Sequence, residues 1–314
     1  MEYIIETKNL SKKYKESEVV KNLNLKVPKG CIYGFLGPNG AGKSTTIRML
    51  LGLIKMNQGE VSILGKSIKN NRVEILREVG ALVESPSYYG NLSAYDNLDI
   101  VRSILGLTKE HINEALKIVG LSDCEKKLVK NFSLGMKQRL GIAKAIIGQP
   151  KVLILDEPTN GLDPLGIIEI REMIKGLPDK TGMTVLVSSH ILSEIEQIAT
   201  HVGIVNKGVL CYQGTLGDLM DIGKECTKII ANPIERAHNE IINLGYDAEV
   251  DGDMIIAKKV EDASKVNRNL VISGIDVHHI SRYKETLEEI FINIINTEDS
   301  IDVNGAIKNR FSKG

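Results

Sequence analysis

The feature that most constrains this chain is a glycine-rich run that stands between two apolar segments. It occupies residues 37–45, reads Gly-Pro-Asn-Gly-Ala-Gly-Lys-Ser-Thr, and fits the pattern G-x-x-x-x-G-K-[ST]. The apolar run 31–36 before it suits a buried strand, and residues 46–53 after it have the apolar spacing of a helix. A glycine-rich loop between a strand and a helix predicts an anion site at the helix N-terminus.

The residue types in this run predict that the anion is the phosphate chain of a nucleotide. Its glycines let the backbone turn N–H groups inward around phosphate oxygens. Lys43 then brings a positive charge to the β and γ phosphates, and Ser44 offers a hydroxyl to Mg2+. The predicted nucleotide-binding residues of the run are Gly37, Pro38, Asn39, Gly40, Ala41, Gly42, Lys43, Ser44 and Thr45.

The composition bears on the partners of the chain, its location and the state of its cysteines. The 40 basic and 40 acidic residues cancel, and the chain has no Trp and only 4 Phe, so nucleic acid is not an expected partner. No apolar run approaches the about 18 residues of a membrane span, and the N-terminus lacks the basic start of a signal peptide, so we expect a cytoplasmic chain. The 4 cysteines are far apart, which favours buried thiols over a metal or disulfide site.

Strands and helices alternate along residues 1–220. We predict two N-terminal strands joined by a charged turn, two further strands, a helical insert, two buried strands and a hairpin. The N-terminal strands are 3–10 and 19–27, with the charged turn at 12–16, and the two further strands are 59–65 and 80–84. The helical insert covers about 85–145, the two buried strands are 152–155 and 184–190, and the hairpin is 203–213. This alternation predicts an α/β core that binds its ligand at the carboxyl ends of the strands.

Two of the buried strands bring polar side chains to the same edge of the predicted sheet. Strand 152–155 ends in Asp156 and Glu157, and strand 184–190 ends in His190. Carboxylates at the end of a strand buried on both faces are unfavourable unless they hold a cation or a reacting water. We therefore predict that these three residues belong to the nucleotide site, with Asp163 following shortly after.

Two other segments give weaker indications. Ser133 has the residue type of a helix N-cap, and Gly135 would let a phosphate approach the first turn of that helix. Tyr14 is the aromatic residue of the charged turn, where its ring would stack on a purine. Helix starts and surface tyrosines of this kind are also common in proteins that bind no nucleotide.

Beyond about residue 220 the pattern changes. The predicted order is strand 227–231, helix 234–244, strands 248–250 and 254–257, helix 263–273 and strand 277–280. This βαββαβ order predicts a small ferredoxin-like α+β module over residues 221–298, which includes an amphipathic helix at 286–295 and precedes a polar tail at 299–314. We interpret the module as a packing, dimerisation or regulatory piece.

Taken together, these motifs resemble the nucleotide-binding subunit of an ABC transporter over the first 220 residues. The matching pieces in chain order are Tyr14 for the adenine-stacking aromatic, 37–45 for the phosphate loop, 132–138 for a variant signature segment, 153–157 for the Walker B strand, Asp163 for the D-loop and His190 for the switch histidine. The resemblance implies a RecA-like core with an antiparallel β subdomain and a helical subdomain.

The resemblance also implies a mechanism and partners. ATP would lie between two copies of the chain, with the Lys43 loop of one facing the signature loop of the other. Asp156 would hold Mg2+ through water, Glu157 would polarise the attacking water, and His190 would contact the γ-phosphate. Because the chain has no predicted membrane span, the resemblance implies polytopic permease subunits on separate chains, docked near the helical insert, and a peripheral position on the inner face of the membrane.

One position departs from the common family pattern. The loop that usually carries Gln has Glu84, which only accepts hydrogen bonds and adds a negative charge. In this Glu, in its variant signature and in its C-terminal module, the chain resembles the ATPases of lantibiotic self-immunity and bacitracin-resistance exporters. This resemblance implies that the cargo is an antimicrobial peptide. We hypothesise that Glu84 tunes communication with the membrane subunits, and we include it among the nucleotide-site and metal-site candidates.

Other classes of protein remain open. The ATPase subunit of another exporter, for drugs or other small molecules, is the first alternative. A soluble ABC ATPase of DNA repair or translation normally has two fused cassettes, or a coiled-coil or zinc insertion, and this chain has one cassette without either feature. A phosphotransferase with the same phosphate loop is disfavoured by the signature segment and by His190.

Overall fold

The computed structural model describes residues 2–84 and 87–296. The chain forms two compact units: the first runs as far as Leu216 and resumes at Asn293, and the second covers Gly217–Ile292. Clusters of buried apolar side chains lie within each unit. The predicted polar tail, residues 299–314, lies outside the described residues.

The first unit contains both strands and helices. Its strands are β1 (Tyr3–Tyr14), β2 (Ser17–Leu23), β3 (Lys26–Pro28), β4 (Ile32–Leu36), β5 (Gln58–Ile63), β6 (Lys66–Ser67), β7 (Val79–Leu82), β8 (Val152–Asp156), β9 (Thr184–Ser189), β10 (His201–Asn206) and β11 (Val209–Thr215). Its helices are α1 (Lys43–Leu50), α2 (Ile68–Arg77), α3 (Ala94–Leu105), α4 (Glu110–Ile118), α5 (Leu134–Ile146), α6 (Pro164–Lys175), α7 (Leu177–Thr181) and α8 (Leu192–Glu196).

A six-stranded sheet in the order β11-β10-β4-β9-β8-β7 forms the core of this unit. All neighbouring strands in it are parallel except β11, which pairs antiparallel with β10 at one edge. Every residue of β4, β8 and β9 is buried, as expected for parallel strands that are covered on both faces. Because β4, β9 and β8 are adjacent and parallel, the segments that follow them meet at one edge of the sheet.

The N-terminal strands form a separate antiparallel sheet in the order β2-β1-β5-β6, with β3 paired to β1. Helices α3, α4 and α5 lie between β7 and β8 in the chain and form the helical part. The first of them begins with a capping box, in which Ser93 Oγ accepts from Asp96 N at 3.1 Å and Asp96 accepts from Ser93 N at 3.2 Å. The predicted core, antiparallel β subdomain and helical subdomain are thus confirmed.

Some element bounds differ from the prediction. The charged turn is shorter, because β1 continues to Tyr14, which pairs with Ser17, and Lys15 in between has a positive φ of 52°. The predicted strand 19–27 is interrupted between β2 and β3, where the hydroxyl of Thr7 bonds to Leu23 O at 2.7 Å and to Leu25 N at 2.8 Å. A side-chain hydroxyl thus replaces part of the backbone ladder.

The second unit has the βαββαβ order that the sequence predicts. After α9 (Leu216–Ile222) come β12 (Glu225–Asn232), α10 (Ile234–Asn243), β13 (Ala248–Asp251), β14 (Met254–Lys258), α11 (Ala263–Ile272) and β15 (Asp276–Lys284), and α12 (Leu287–Asn296) is the last described helix. The four strands form an antiparallel sheet in the order β13-β14-β12-β15, as in a ferredoxin-like module. Among the described residues of the whole chain, none of the helices has the length and apolar character needed to cross a bilayer.

Candidate nucleotide-binding site

The phosphate loop lies where the sequence predicts it, over residues 37–42 between β4 and α1. Gly42 immediately precedes α1 and has a φ of 103°, which residues with a side chain rarely adopt. A Cβ on Gly42 would lie 2.7 Å from the carbonyl oxygen of Val19, and a Cβ on Gly37 would lie 2.3 Å from that of Val205. The backbone therefore passes too close to the neighbouring strands for any residue but glycine at these two positions.

Lys43 opens α1, and its ammonium group turns back over the loop. Its Nζ donates to Gly37 O at 2.7 Å and lies 3.2 Å from Oε1 of Glu157. The Lys43 side chain is only 5% exposed, and that of Glu157 is 20% exposed. Because a nearly buried ammonium needs a negative partner, Glu157 supplies the charge that a bound phosphate would otherwise supply.

Glu157 connects the phosphate loop to His190. Its Oε1 faces Lys43, and its Oε2 lies 2.7 Å from Nδ1 of His190. Its φ of 50° is unusual for a residue other than glycine. The N–H of Glu157 donates to Ser188, both to Oγ at 3.0 Å and to the carbonyl oxygen at 3.2 Å. The segments that follow β8, β9 and β4 therefore meet at this one carboxylate.

Asp156 is the last residue of β8 and is 5% exposed. Its Oδ1 accepts a hydrogen bond from Ser188 Oγ at 2.6 Å, and its other oxygen has no hydrogen-bond partner among the described residues. Within residues 2–84 and 87–296, no group of three or more His, Cys, Asp or Glu side chains is placed to hold a metal ion. A magnesium ion here would take its oxygen ligands from the Ser44 hydroxyl, the nucleotide and water molecules held by Asp156, and this all-oxygen donor set fits Mg2+.

An open cleft of about 340 Å³ lies over the loop. It is lined by Val19, Asn39, Gly40, Ala41, Gly42, Lys43, Ser44, Thr45, Glu157, Asn160 and His190. The structure thus brings His190 and Glu157 together with most of the predicted loop residues. Val19 and Asn160 were missed by sequence reasoning, since neither belongs to a recognisable pattern.

A second, buried hydrogen bond joins the same two segments. Thr159 Oγ1 donates to Glu194 Oε2 at 2.6 Å, and both residues are 8% exposed. Thr159 follows Glu157 closely in the chain, and Glu194 lies in α8 just after His190. This hydrogen bond therefore ties the helix after His190 to the segment after Glu157.

Besides Gly37, Pro38, Glu84 and Asp156, four predicted site residues do not line this cleft. Tyr14 is 45% exposed at the end of β1, with Lys12 Nζ 4.8 Å from the centre of its ring. Ser133 caps α5 by accepting from Met136 N at 3.2 Å, which confirms its predicted N-cap role. A Cβ on Gly135 would meet no atom within 4 Å outside its own turn of helix, and Asp163 caps α6 by accepting from Gly166 N at 3.2 Å. None of the four lines the cleft of its own chain.

Glu84 also has a different partner from the one expected of a metal-site residue. Its carboxylate forms an ion pair with Arg48 of α1, and the two side chains are 67% and 34% exposed. Glu84 has a positive φ of 63°, so the chain turns at this residue. Arg48 thus links Glu84 to the helix that begins at the phosphate loop.

Comparisons with known proteins point to one family. The family model described as "ABC transporter" matches residues 20–160. The bacitracin transport ATP-binding protein BcrA of Bacillus licheniformis is 45% identical over 302 residues, which cover 94% of this chain and 98% of that protein. The lantibiotic transport ATP-binding protein SrtF of Streptococcus pyogenes is 46% identical over 205 residues, which cover 65% of this chain and 88% of that protein.

A solved structure of the ATP-binding subunit of an ABC transporter is also similar. It aligns with a TM-score of 0.62 at 30% identity, and the alignment covers 70% of this chain and 92% of that chain.

Proposed function

This chain belongs to the ABC transporter family of ATP-binding proteins, and we propose that it is the ATPase subunit of an exporter of peptide antibiotics. As a member of this family it binds ATP and couples hydrolysis to transport. The observation that best supports the site is the carboxylate of Glu157, which contacts Lys43 at 3.2 Å and His190 at 2.7 Å. The proposed base, Glu157, thus contacts both the phosphate-binding cation and the histidine that would orient it.

Each of these groups has a distinct role in the proposed hydrolysis. Lys43 binds the β and γ phosphate oxygens through its positive charge. Glu157 then accepts a proton from the attacking water, and His190 orients that carboxylate and contacts the γ-phosphate. Mg2+, held by Ser44 and through water by Asp156, would neutralise charge on the phosphates.

We further propose that two copies of the chain complete the site. In the chain by itself, Ser133, Gly135 and Asp163 lie outside the cleft that Lys43 lines. The Ser133 side chain occupies the N–H of Met136, whereas the N–H groups of Leu134 and Gly135 at the start of α5 have no intrahelical partner and could bind an anion. A second copy that presents this turn to the cleft would supply the γ-phosphate contacts that one chain lacks, and Tyr14 would stack on the adenine.

The partners and cargo are also proposals. Relatives named as transport ATP-binding proteins support polytopic permease subunits on separate chains, with this chain on the inner face of the membrane. The names of BcrA and SrtF, which refer to bacitracin and lantibiotic transport, support a peptide antibiotic as the cargo.

The experiment that tests this function uses deletion and complementation in the native host. Loss of the gene should lower the inhibitory concentration of bacitracin or of a lantibiotic, and the wild-type chain, but not Glu157→Gln, should restore it. A tagged chain should co-purify with polytopic proteins from detergent-solubilised membranes. If deletion leaves peptide sensitivity unchanged but increases sensitivity to unrelated small drugs, the cargo is a small molecule and not a peptide. If the chain co-purifies with ribosomes or DNA, the proposed transport function is wrong.

We propose that Glu84 tunes the coupling between this subunit and the permease, through its ion pair with Arg48. Glu84→Gln keeps the side-chain shape but removes the charge, so it should lower permease-stimulated ATP hydrolysis and peptide resistance by a few-fold. The matched control is Glu74→Gln, which removes the charge from another exposed pair, with Lys66. If Glu84→Gln behaves like Glu74→Gln in both assays, Glu84 has no such role.

A further inference from the structure

Ser188 is a polar residue in the middle of an apolar sheet. It lies in β9, where Val185, Leu186 and Val187 precede it, and its side chain is fully buried. In the sheet it stands between Phe35 of β4 and Asp156 of β8. A buried hydroxyl is unfavourable unless it is hydrogen-bonded, so the hydrogen bonds of Ser188 must explain its presence there.

Both contacts of this hydroxyl go to the predicted catalytic segment. Ser188 Oγ lies 2.6 Å from Asp156 Oδ1 and 3.0 Å from the backbone nitrogen of Glu157. The backbone N–H can only donate, so the oxygen of Ser188 accepts from Glu157 and its single proton goes to Asp156. One hydroxyl therefore binds two consecutive residues, and its hydrogen-bonding direction is fixed.

The bond to Asp156 decides which carboxylate oxygen faces the site. Because Oδ1 is engaged by Ser188, the carboxylate cannot rotate freely, and the other oxygen remains without a partner in the part of the chain that the structure describes. A group that holds a metal through water must present a lone pair in a fixed direction, and partners behind such ligands supply this orientation.

The bond to Glu157 supports a strained backbone. A φ of 50° is unfavourable for a residue with a side chain and persists only where the surroundings enforce it. Without the hydroxyl, the Glu157 N–H would keep only the longer bond to Ser188 O, at 3.2 Å. The conformation of this residue directs its carboxylate toward Lys43 and His190, so a relaxed backbone would move the base.

Resting on the roles proposed above for Asp156 and Glu157, we propose that Ser188 is a positioning residue for ATP hydrolysis. Its hydroxyl orients Asp156 and holds the backbone of Glu157, and it touches no substrate itself. Thr184, at the other end of the same strand, provides a matched control, because its buried hydroxyl accepts from Gly30 N at 2.8 Å and is remote from the carboxylates.

The experiment compares Ser188→Ala, Thr184→Val and Ser188→Thr in the full chain. Each variant is assayed for kcat, for the Mg2+ concentration that gives half-maximal activity, for binding of a fluorescent ATP analogue with and without Mg2+, and for melting temperature. Because one hydrogen bond to a charged group is lost, Ser188→Ala should lower kcat about tenfold to a hundredfold relative to Thr184→Val. It should also raise the Mg2+ requirement for nucleotide binding, while Mg2+-free binding stays within about twofold. Ser188→Thr, which keeps the hydroxyl, should recover most of the lost kcat.

Two results would overturn the role of Ser188. The first is a kcat for Ser188→Ala within about threefold of that of Thr184→Val, which is less than the loss of one such hydrogen bond should produce. The second is an equal loss of Mg2+-free nucleotide binding, which would show general damage to the cleft. Glu157→Gln separates this outcome from a failure of the proposed function: if it hydrolyses ATP like the wild type, the site itself is wrongly assigned.

Discussion

Replacing Glu157 by glutamine removes one negative charge at the point where Lys43 and His190 meet. The amide keeps the size of the carboxylate and can still accept a hydrogen bond from Lys43, but it cannot take a proton from water. We therefore expect ATP binding to persist and turnover to be nearly lost. Loss of a general base lowers the rate by about 10²- to 10⁴-fold, which corresponds to about 3–5 kcal/mol in activation free energy.

The effect on folding should be much smaller. In the variant, Lys43 Nζ keeps its bonds to Gly37 O at 2.7 Å and Pro38 O at 3.4 Å and gains a neutral acceptor in place of the carboxylate. Hydrogen bonds to charged groups contribute about 1.5–3 kcal/mol and neutral ones about 1 kcal/mol, so the free energy of unfolding should fall by about 1 kcal/mol. ATP affinity should be unchanged or higher, since a phosphate no longer competes with a carboxylate for Lys43.

The assay measures phosphate release at saturating Mg-ATP beside equilibrium binding of a fluorescent ATP analogue. Glu78→Gln is the control, because it makes the same substitution in an exposed pair, Glu78 with Lys151 at 3.3 Å. Turnover by Glu157→Gln within tenfold of the control would contradict the role of the base. Loss of nucleotide binding in this variant would instead show that Glu157 is needed to build the phosphate site.

Two other predictions follow from close packing, one at the phosphate loop and one at Cys31, just before β4. Gly42→Ala should abolish nucleotide binding, because its Cβ would lie 2.7 Å from Val19 O at a φ of 103°. The control is Gly65→Ala, which has a φ of 72° but no atom within 4 Å of the added Cβ, and it should bind nucleotide normally. Equal binding by the two variants would contradict the steric reason. Burial raises the pKa of the Cys31 thiol to about 12, so its thiolate is scarce at pH 8 and iodoacetamide should label it far more slowly in the folded chain than in urea. Mass spectrometry of the labelled peptides measures the two rates. Rapid labelling of Cys31 in the folded chain would show that its thiol is accessible and would contradict the prediction.

Much of the fold was predictable because local patterns and global topology agree. The buried strands β4, β8 and β9 appear in the sequence as short apolar runs, and the polar residues that end them meet because parallel strands end at one edge. The βαββαβ order of the second unit was readable for the same reason, since each of its elements has a clear period and a turn signal. Short helices such as α7 and α8 were missed, because five residues are too few to show a helical period.

The contacts within the site were predictable only in part. The pattern of the phosphate loop fixes Lys43 as a cation, but no local signal shows that its partner in the folded chain is Glu157. Ser188 and Asp156 are 32 residues apart, and only the register of β8 with β9 brings them together. The positive φ of Glu157 has no sequence signal, because it occurs at a residue that ordinarily avoids it. Residue types therefore predicted which chemistry is present, and the sheet register decided which groups touch.

The pairing of Lys43 with Glu157 has a consequence for the order of events. Because the nearly buried ammonium of Lys43 is already paired with Glu157, we expect a nucleotide phosphate that binds Lys43 to displace that carboxylate. The displaced carboxylate stays beside the phosphate loop, because Ser188 holds its backbone and His190 contacts its second oxygen at 2.7 Å. Its first oxygen is then free to accept from a water next to the γ-phosphate. We therefore expect Glu157 to be available for its proposed role as the base only when ATP is bound, since without nucleotide its carboxylate is paired with Lys43.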